Sequence, residues 1–222
     1  MTTAPLASPT TPTAAATTRL LSAGAIAGPV LFTVAWLLLG FVSPGYTMFD
    51  VRIEEYSAIS QPISGLGLGV TAPYMNAAFV LGGLLTLAGV IGVVRALPAR
   101  PAAWWAAGLL ACTPVGMIID GVFDLESMMA HLLGFALAIA VPVISFVVAG
   151  TYFRGVQGWR RFGTWLRLAG PLTLALLVLF FATFDPTASG DAQGIAGLTQ
   201  RILVTEVLAW FVAMGWISLR RP

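Results

Sequence analysis

The chain has 222 residues, of which 58% are apolar and only 9% charged, where a soluble domain carries roughly 25% charged residues. This composition excludes a soluble globular domain, and continuous apolar runs of about twenty residues exclude a transmembrane barrel, whose segments are about half that length. The net charge of +2 rests on 11 basic residues, all arginine; they sit in short loops beside apolar runs, where arginine orients membrane helices rather than gathering nucleic acid.

Residues 1–18 are mostly threonine, alanine and proline, with no charged side chain, and read as a disordered N-terminal tail. They are not a signal peptide, since no basic region precedes an apolar core with a cleavage site. Arg19 leads into a first span of about 21–42, with Gly24 and Gly28 placed for close helix packing. A long loop follows, and then a second span of about 73–94 opening on Pro73. Trp104 and Trp105 anchor a third span, about 103–123. A fourth, about 129–152, follows almost directly and is expected to bend at Pro142. The fifth and sixth occupy about 166–184 and 198–219, so residues 19–222 form one six-helix, all-α membrane bundle. The single cysteine, Cys112, lies inside a span, so no disulfide is possible within the chain.

Six spans bring both termini to one side. Arg19, Arg95, Arg100, Arg154, Arg160, Arg161, Arg167, Arg220 and Arg221 fall on that side, leaving Arg52 and Arg201 on the other. The expected orientation is therefore multi-pass in the plasma membrane with both termini cytoplasmic. The acidic residues then gather toward the outer leaflet, and with them the chemistry.

Four of these polar side chains are candidates for catalysis: Asp120, Asp124, His131 and Glu206. Asp120 and Asp124 are four residues apart and share a helix face. An ionised carboxylate at the depth of Asp120 costs roughly 2.5 to 3.5 kcal/mol unless it is paired or wet. His131 is close enough through the tight turn to be its partner. Two aspartates and one histidine are a conceivable metal set, but with no second ligand on the histidine's own helix a hydrogen-bonded knot is the expected arrangement, with no metal and no cofactor. Glu206 lies about two turns into the sixth span. It is five residues from Arg201, about 140° around the helix, so each addresses a different neighbour.

The polar stretch 56–69 interrupts the apolar pattern with serines, glycines, Gln61 and Pro62. Its backbone cannot sit in lipid unless protein or water satisfies it. Ser57, Ser60 and Ser64 are spaced to align on one side of a short helix with Gln61 nearby. The stretch is either a polar plug over a ligand cavity or an amphipathic surface turn with Ile59 and Ile63 down and the serines up. No Gly-x-Ser-x-Gly motif is present, and the sequence does not assign His131 to a triad.

Tyr56-Ser57, Ile63-Ser64-Gly65-Leu66-Gly67, Asn76, Gly121-Val122-Phe123, His131 and Gly197-Leu198-x-Gln200-Arg201 together resemble a bacterial and archaeal membrane-protein family, domain of unknown function 998. The resemblance covers about 24–216, with departures at Gly65 and Asp124. It implies a six-helix integral membrane protein without an established activity, in which Ser57, Ser64, His131 and Arg201 share one outer-face constellation. The expected function is binding of a lipid or small amphiphile in an outward-facing polar cavity roofed by the first loop. Ser57, Ser60, Gln61, Ser64, Asn76 and Arg201 are its expected binding residues, and Asp120, Asp124, His131, Arg201 and Glu206 are expected to line or lock it. The alternatives are an intramembrane hydrolase or acid-base cyclase, a transporter, or a structural accessory subunit. Nucleic acid is not an expected partner, and the oligomeric state is open.

Overall fold

The computed structural model describes residues 12–98 and 100–221. Among them are six helical segments long and apolar enough to cross a membrane: Ala14–Val42, Gly69–Arg95, Pro101–Val122, Met128–Arg154, Arg160–Thr183 and Ala196–Leu219. They are built from helices α1 (Pro12–Val42), α2 (Ala72–Arg95), α3 (Pro101–Val122), α4 (Met128–Phe135), α5 (Pro142–Arg154), α6 (Arg160–Thr183) and α8 (Ala196–Leu219). A short α7 (Pro186–Gly190) lies in the loop before the last span. The tail expected to be disordered is helical from Pro12, because the Ala14-Ala15-Ala16 run is strongly helix-forming and simply extends the span. Residues 1–11 of that tail lie outside the described residues.

The first and last spans meet at one end of the bundle: Arg19 donates to the Leu219 carbonyl and Ser218 to the Ser22 hydroxyl. We call this the terminal end of the bundle and the opposite one the loop end. Helix α1 packs against α2 through small residues. A Cβ at Gly24 would fall on the Leu85 carbonyl, and one at Gly89 on the Ala25 backbone, so the two backbones touch where side chains would otherwise hold them apart. Toward the terminal end, Phe146 meets Phe211, and Phe153 stacks on Trp159 and meets Phe162 edge-on.

The fourth span is not bent simply by its proline. Residues Ala136–Ala140 form a π turn, closed by the Val141 N–H donating to the Ala136 carbonyl at 2.9 Å. Pro142 has no N–H for the carbonyl four residues back, that of Ala138. The Thr113 hydroxyl of α3 satisfies it instead, at 3.2 Å. The widened turn and the Thr113 hydroxyl thus pair the Ala136 and Ala138 carbonyls in an environment without water.

The loop end carries a feature that hydropathy does not reveal. Strands β1 (Gly45–Met48) and β2 (Val51–Glu54) form an antiparallel hairpin, with Tyr46 opposite Ile53. Phe49 and Asp50 both have positive φ, 48° and 63°, the backbone of a two-residue hairpin turn. The Phe49 N–H donates to Glu126 Oε1 at 3.2 Å, tying the hairpin to the loop between α3 and α4.

Candidate functional site

The polar stretch 56–69 folds into the bundle as a plug. Ser60, Gln61 and every residue from Ile63 to Leu68 are buried. The surface-turn arrangement does not occur: Ile63 is 1% exposed and Ile59, its supposed companion, 57%. The serines also do not share a helix face. Only Ser64 lies in the 3₁₀ turn Ile63–Gly67, while Ser57 and Ser60 precede it.

Most of the plug's polar groups are spent on its own shape. The Ser57 N–H donates to Gln61 Oε1, Gln61 Nε2 donates to the Glu55 carbonyl, and the Ser60 N–H donates to Ser57 Oγ. Asn76, on α2 beneath it, donates to the Gly67 carbonyl at 3.2 Å. A Cβ at Gly67 would strike Asn76 Oδ1, and one at Gly65 would strike the Tyr46 ring. Burial pushes the Tyr46 phenol up to about 12.

The first turn of α8 clamps the plug. Leu198 N–H donates to the Ile59 carbonyl at 2.8 Å, and Gln200 Oε1 accepts the Ile63 N–H at 2.7 Å. Arg201 Nη1 donates to the Gln61 and Gly197 carbonyls, each at 2.9 Å, while Nη2 donates to the Tyr56 hydroxyl. Gly197 supplies the space, since a Cβ there would fall on the Gln61 carbonyl. The Gly197-Leu198-x-Gln200-Arg201 motif is thus a set of plug contacts. The buried guanidinium also lies against two aromatic faces, Trp36 at 5.3 Å and Tyr56 at 5.7 Å. Burial raises the Tyr56 phenol pKa, and the neighbouring Arg201 offsets this only in part.

Ser64 is the plug residue that reaches across to a titratable base. Its Oγ lies 2.9 Å from His131 Nε2, and His131 Nδ1 lies 2.9 Å from the Phe123 carbonyl. A carbonyl only accepts, so in the neutral ring Nδ1 carries the hydrogen and Nε2 is the bare acceptor. The Ser64 hydroxyl therefore donates to the imidazole. Asp120 Oδ1 is 3.5 Å from Nδ1, too far for a hydrogen bond but close enough to act on a charged ring, and it is buried without a hydrogen-bond partner. Gly134 makes room for it, because a Cβ there would overlap Asp120 Oδ1.

Asp124 makes no hydrogen bond to this group, although its charge acts on the His131 ring. Helix α3 ends at Val122, so the expected shared face with Asp120 is lost, and Asp124 Oδ1 instead accepts the N–H groups of Glu126 and Ser127. Glu206 is elsewhere too, between α6 and α8, accepting from Trp210 at 2.7 Å and lying 2.9 Å from the Thr173 hydroxyl. As expected from their angular separation, Glu206 and Arg201 address different neighbours. Among the described residues no cluster of three or more His, Cys, Asp or Glu is arranged to hold a metal.

Two spaces meet at Ser64. One is a buried cavity of about 40 Å³, lined by apolar side chains such as Phe32, Met117 and Leu208, with Ser64, Asp120, Thr113 and Gln200 as its polar lining. It is therefore chiefly apolar rather than the polar chamber expected, because the plug turns its polar groups on itself. The other is an open groove of about 150 Å³ on the flank of the bundle at its loop end, between α4 and the loop-end parts of α6 and α8, lined by His131, Leu132, Phe181 and Phe184 among others. Only Ser64, Phe135 and Gln200 line both. They form the wall between an interior apolar slot and a surface made of exposed Leu132, Met128 and Phe181. Sequence reasoning missed Gln200 as a site residue, although its place in the α8 motif was visible.

No curated protein and no solved structure matches the chain. The chain does match, over residues 26–217, and belongs to, the family described as Protein of unknown function (DUF998).

Proposed function

We propose that this membrane protein binds an amphiphile with an acyl or alkyl chain, taking it from the outer leaflet of the plasma membrane through the groove, with both termini cytoplasmic. The observation that supports the reading is the shared wall of Ser64, Phe135 and Gln200, which stands between an inner apolar slot and an apolar groove on the exposed surface. An alkyl chain suits the slot's lining. The polar groups at its edge suit a headgroup linkage, the usual division of labour in a ligand site. The slot is narrow at rest: about 40 Å³ is room for a few waters on a scale where one needs about 10–15 Å³. Entry of a chain therefore requires α4 to shift, and the π turn below it is where such a shift is least costly. Packing of Phe146 on Phe211 and Phe153 on Trp159 below the slot favours binding over passage through the bundle.

The test is equilibrium binding of a fluorescent, non-hydrolysable ether-linked lysolipid to the purified full chain in nanodiscs. Ala138, which lines the slot at 4% exposure, is replaced by Phe to fill it. Saturable binding that Ala138→Phe weakens at least tenfold, with thermal unfolding retained, supports the reading. Binding that is non-saturable, or indifferent to the filled slot, contradicts it.

A further inference from the structure

We propose that Ser64 is an acyl-accepting nucleophile, with His131 as its general base and Gln200 as an oxyanion donor, so that the bound amphiphile is an ester whose acyl group is transferred. This rests on the amphiphile-binding reading above and names the substrate class of the same site. Three observations converge on it.

The first is the proton arrangement. Nucleophilic serines are activated by a base within about 2.6–3.2 Å whose orientation is fixed by a third group. Here the Ser64 Oγ to His131 Nε2 distance is 2.9 Å, and the Phe123 carbonyl fixes the tautomer from the other nitrogen at 2.9 Å. Asp120, 3.5 Å from Nδ1, is a positioning residue that steadies the ring once it holds a second proton. The second is Gln200. Its Oε1 is taken by the N–H of Ile63, the residue before Ser64, at 2.7 Å. That contact fixes the amide's orientation and leaves Nε2 without an acceptor among the described residues, on the wall it shares with Ser64. The third is access, since Ser64 and Gln200 face the open groove as well as the slot, whereas Ser60 is 1% exposed and lines neither.

In the first step Ser64 Oγ bonds to the ester carbonyl carbon as its hydrogen passes to His131 Nε2. The carbonyl oxygen becomes an oxyanion that accepts from Gln200 Nε2. Collapse re-forms the carbonyl and breaks the ester C–O bond, and the leaving alcohol takes the proton back from His131 Nε2. In the second step a hydroxyl acceptor, water or a lipid alcohol, attacks the acyl-Ser64 carbonyl and gives its proton to His131. Breaking the Ser64 Oγ–acyl bond returns that proton to Ser64. No electrons are exchanged.

The experiment treats the full chain in nanodiscs with a long-chain alkyl fluorophosphonate and maps the adduct by peptide mass spectrometry, with ether-lysolipid binding measured on the same samples. The expected result is an adduct on Ser64, absent in Ser64→Ala and unchanged in Ser60→Ala. His131→Ala slows it by about 10²-fold or more. Gln200→Glu, which keeps the acceptor for the Ile63 N–H but removes the amide donors, slows it by about 10²-fold. Asp120→Asn displaces the pH profile of the adduct rate, a change that a purely structural aspartate would not produce. With a radiolabelled ester lysolipid, release of free carboxylate marks water as the acceptor and a new ester marks a lipid alcohol; either supports the proposal. Wild-type protein that binds the ether lysolipid but forms no adduct at Ser64, or forms it at a rate independent of His131, overturns the nucleophile and leaves binding standing. Loss of ether-lysolipid binding in the wild type overturns both.

Discussion

Ser64 Oγ and His131 Nε2 stand 2.9 Å apart across 67 residues of sequence, joining the buried plug of the first loop to the first turn of α4. The geometry depends on Gly134, one helical turn further on, whose missing Cβ leaves space for Asp120 against the imidazole. Gly134→Ala is expected to displace the carboxylate and destabilise the fold by about 1–3 kcal/mol, the usual cost of overpacking a filled interior. A lower thermal midpoint with weaker lysolipid binding would bear this out; a midpoint equal to that of the wild type would show the contact to be slack.

Arg201 holds the plug from the other side. Its guanidinium reaches Gln61, Gly197 and Tyr56 from one planar fork, and a lysine ammonium cannot address all three at once. With hydrogen bonds to a charged group worth about 1.5–3 kcal/mol each, Arg201→Lys is expected to cost about 2–3 kcal/mol. The loss should be local, appearing as protease cleavage within 56–69 while the spans stay protected. Equal cleavage of the variant and wild type would remove Arg201 from the clamp.

How much of this was legible in the sequence differs between spans and site. The six spans were readable because lipid allows only closed backbone hydrogen bonding, which forces long apolar runs. The nearness of Asp120 to His131 was readable from the short turn between their helices. The Ser64–His131 contact was not, since it depends on a loop whose course is set by Gly65 against Tyr46 and by Gln200 and Arg201 on the last span. The hairpin was equally hidden, because Phe49 at positive φ is a conformation that the sequence alone argues against. The Asp120–Asp124 face failed for a simpler reason: the helix stops between them.

Tyr46 gives the loop end a pH dependence. Burial raises its phenol to about 12 from an ordinary value near 10. The folded state therefore holds the proton more tightly than the unfolded chain does, and the contribution is complete below pH 10 and lost as pH rises from 10 toward 12. Alkaline titration followed by phenolate absorbance should show late-titrating tyrosines, Tyr56 also being raised by burial, and Tyr46→Phe should remove one late component. If no late component distinguishes the two proteins, Tyr46 is more open than its packing on Gly65 implies.

Glu206 ties α6 to α8 through Thr173 and Trp210. Glu206→Leu leaves the Trp210 N–H without its acceptor and is expected to cost about 1–3 kcal/mol. Glu206→Gln keeps an acceptor for Trp210 and a partner for the Thr173 hydroxyl, so it should cost less than half as much. Thermal unfolding of the pair checks the order. Because Glu206, Thr173 and Trp210 do not line the slot, neither variant should alter lysolipid affinity, and a tenfold change would link the two sites.

The seam between α1 and α2 predicts a larger effect. At Gly89 a side chain would meet the Ala25 backbone rather than a movable group, so Gly89→Val should separate the helices and cost about 3 kcal/mol or more, at the upper end for overpacking. Cross-linking yield between cysteines placed at exposed positions of α1 and α2 should fall accordingly, and an unchanged yield would contradict the close approach.

Entry of an alkyl chain into the slot behind Ser64 is tested most directly by photo-cross-linking with a lysolipid carrying a diazirine near the end of its chain, mapped by mass spectrometry. Adducts are expected on slot residues Met117, Ala138, Val204 and Leu208, suppressed by Ala138→Phe. Adducts confined to exposed residues such as Leu132, Phe181 and Trp216, with none in the slot, would contradict it.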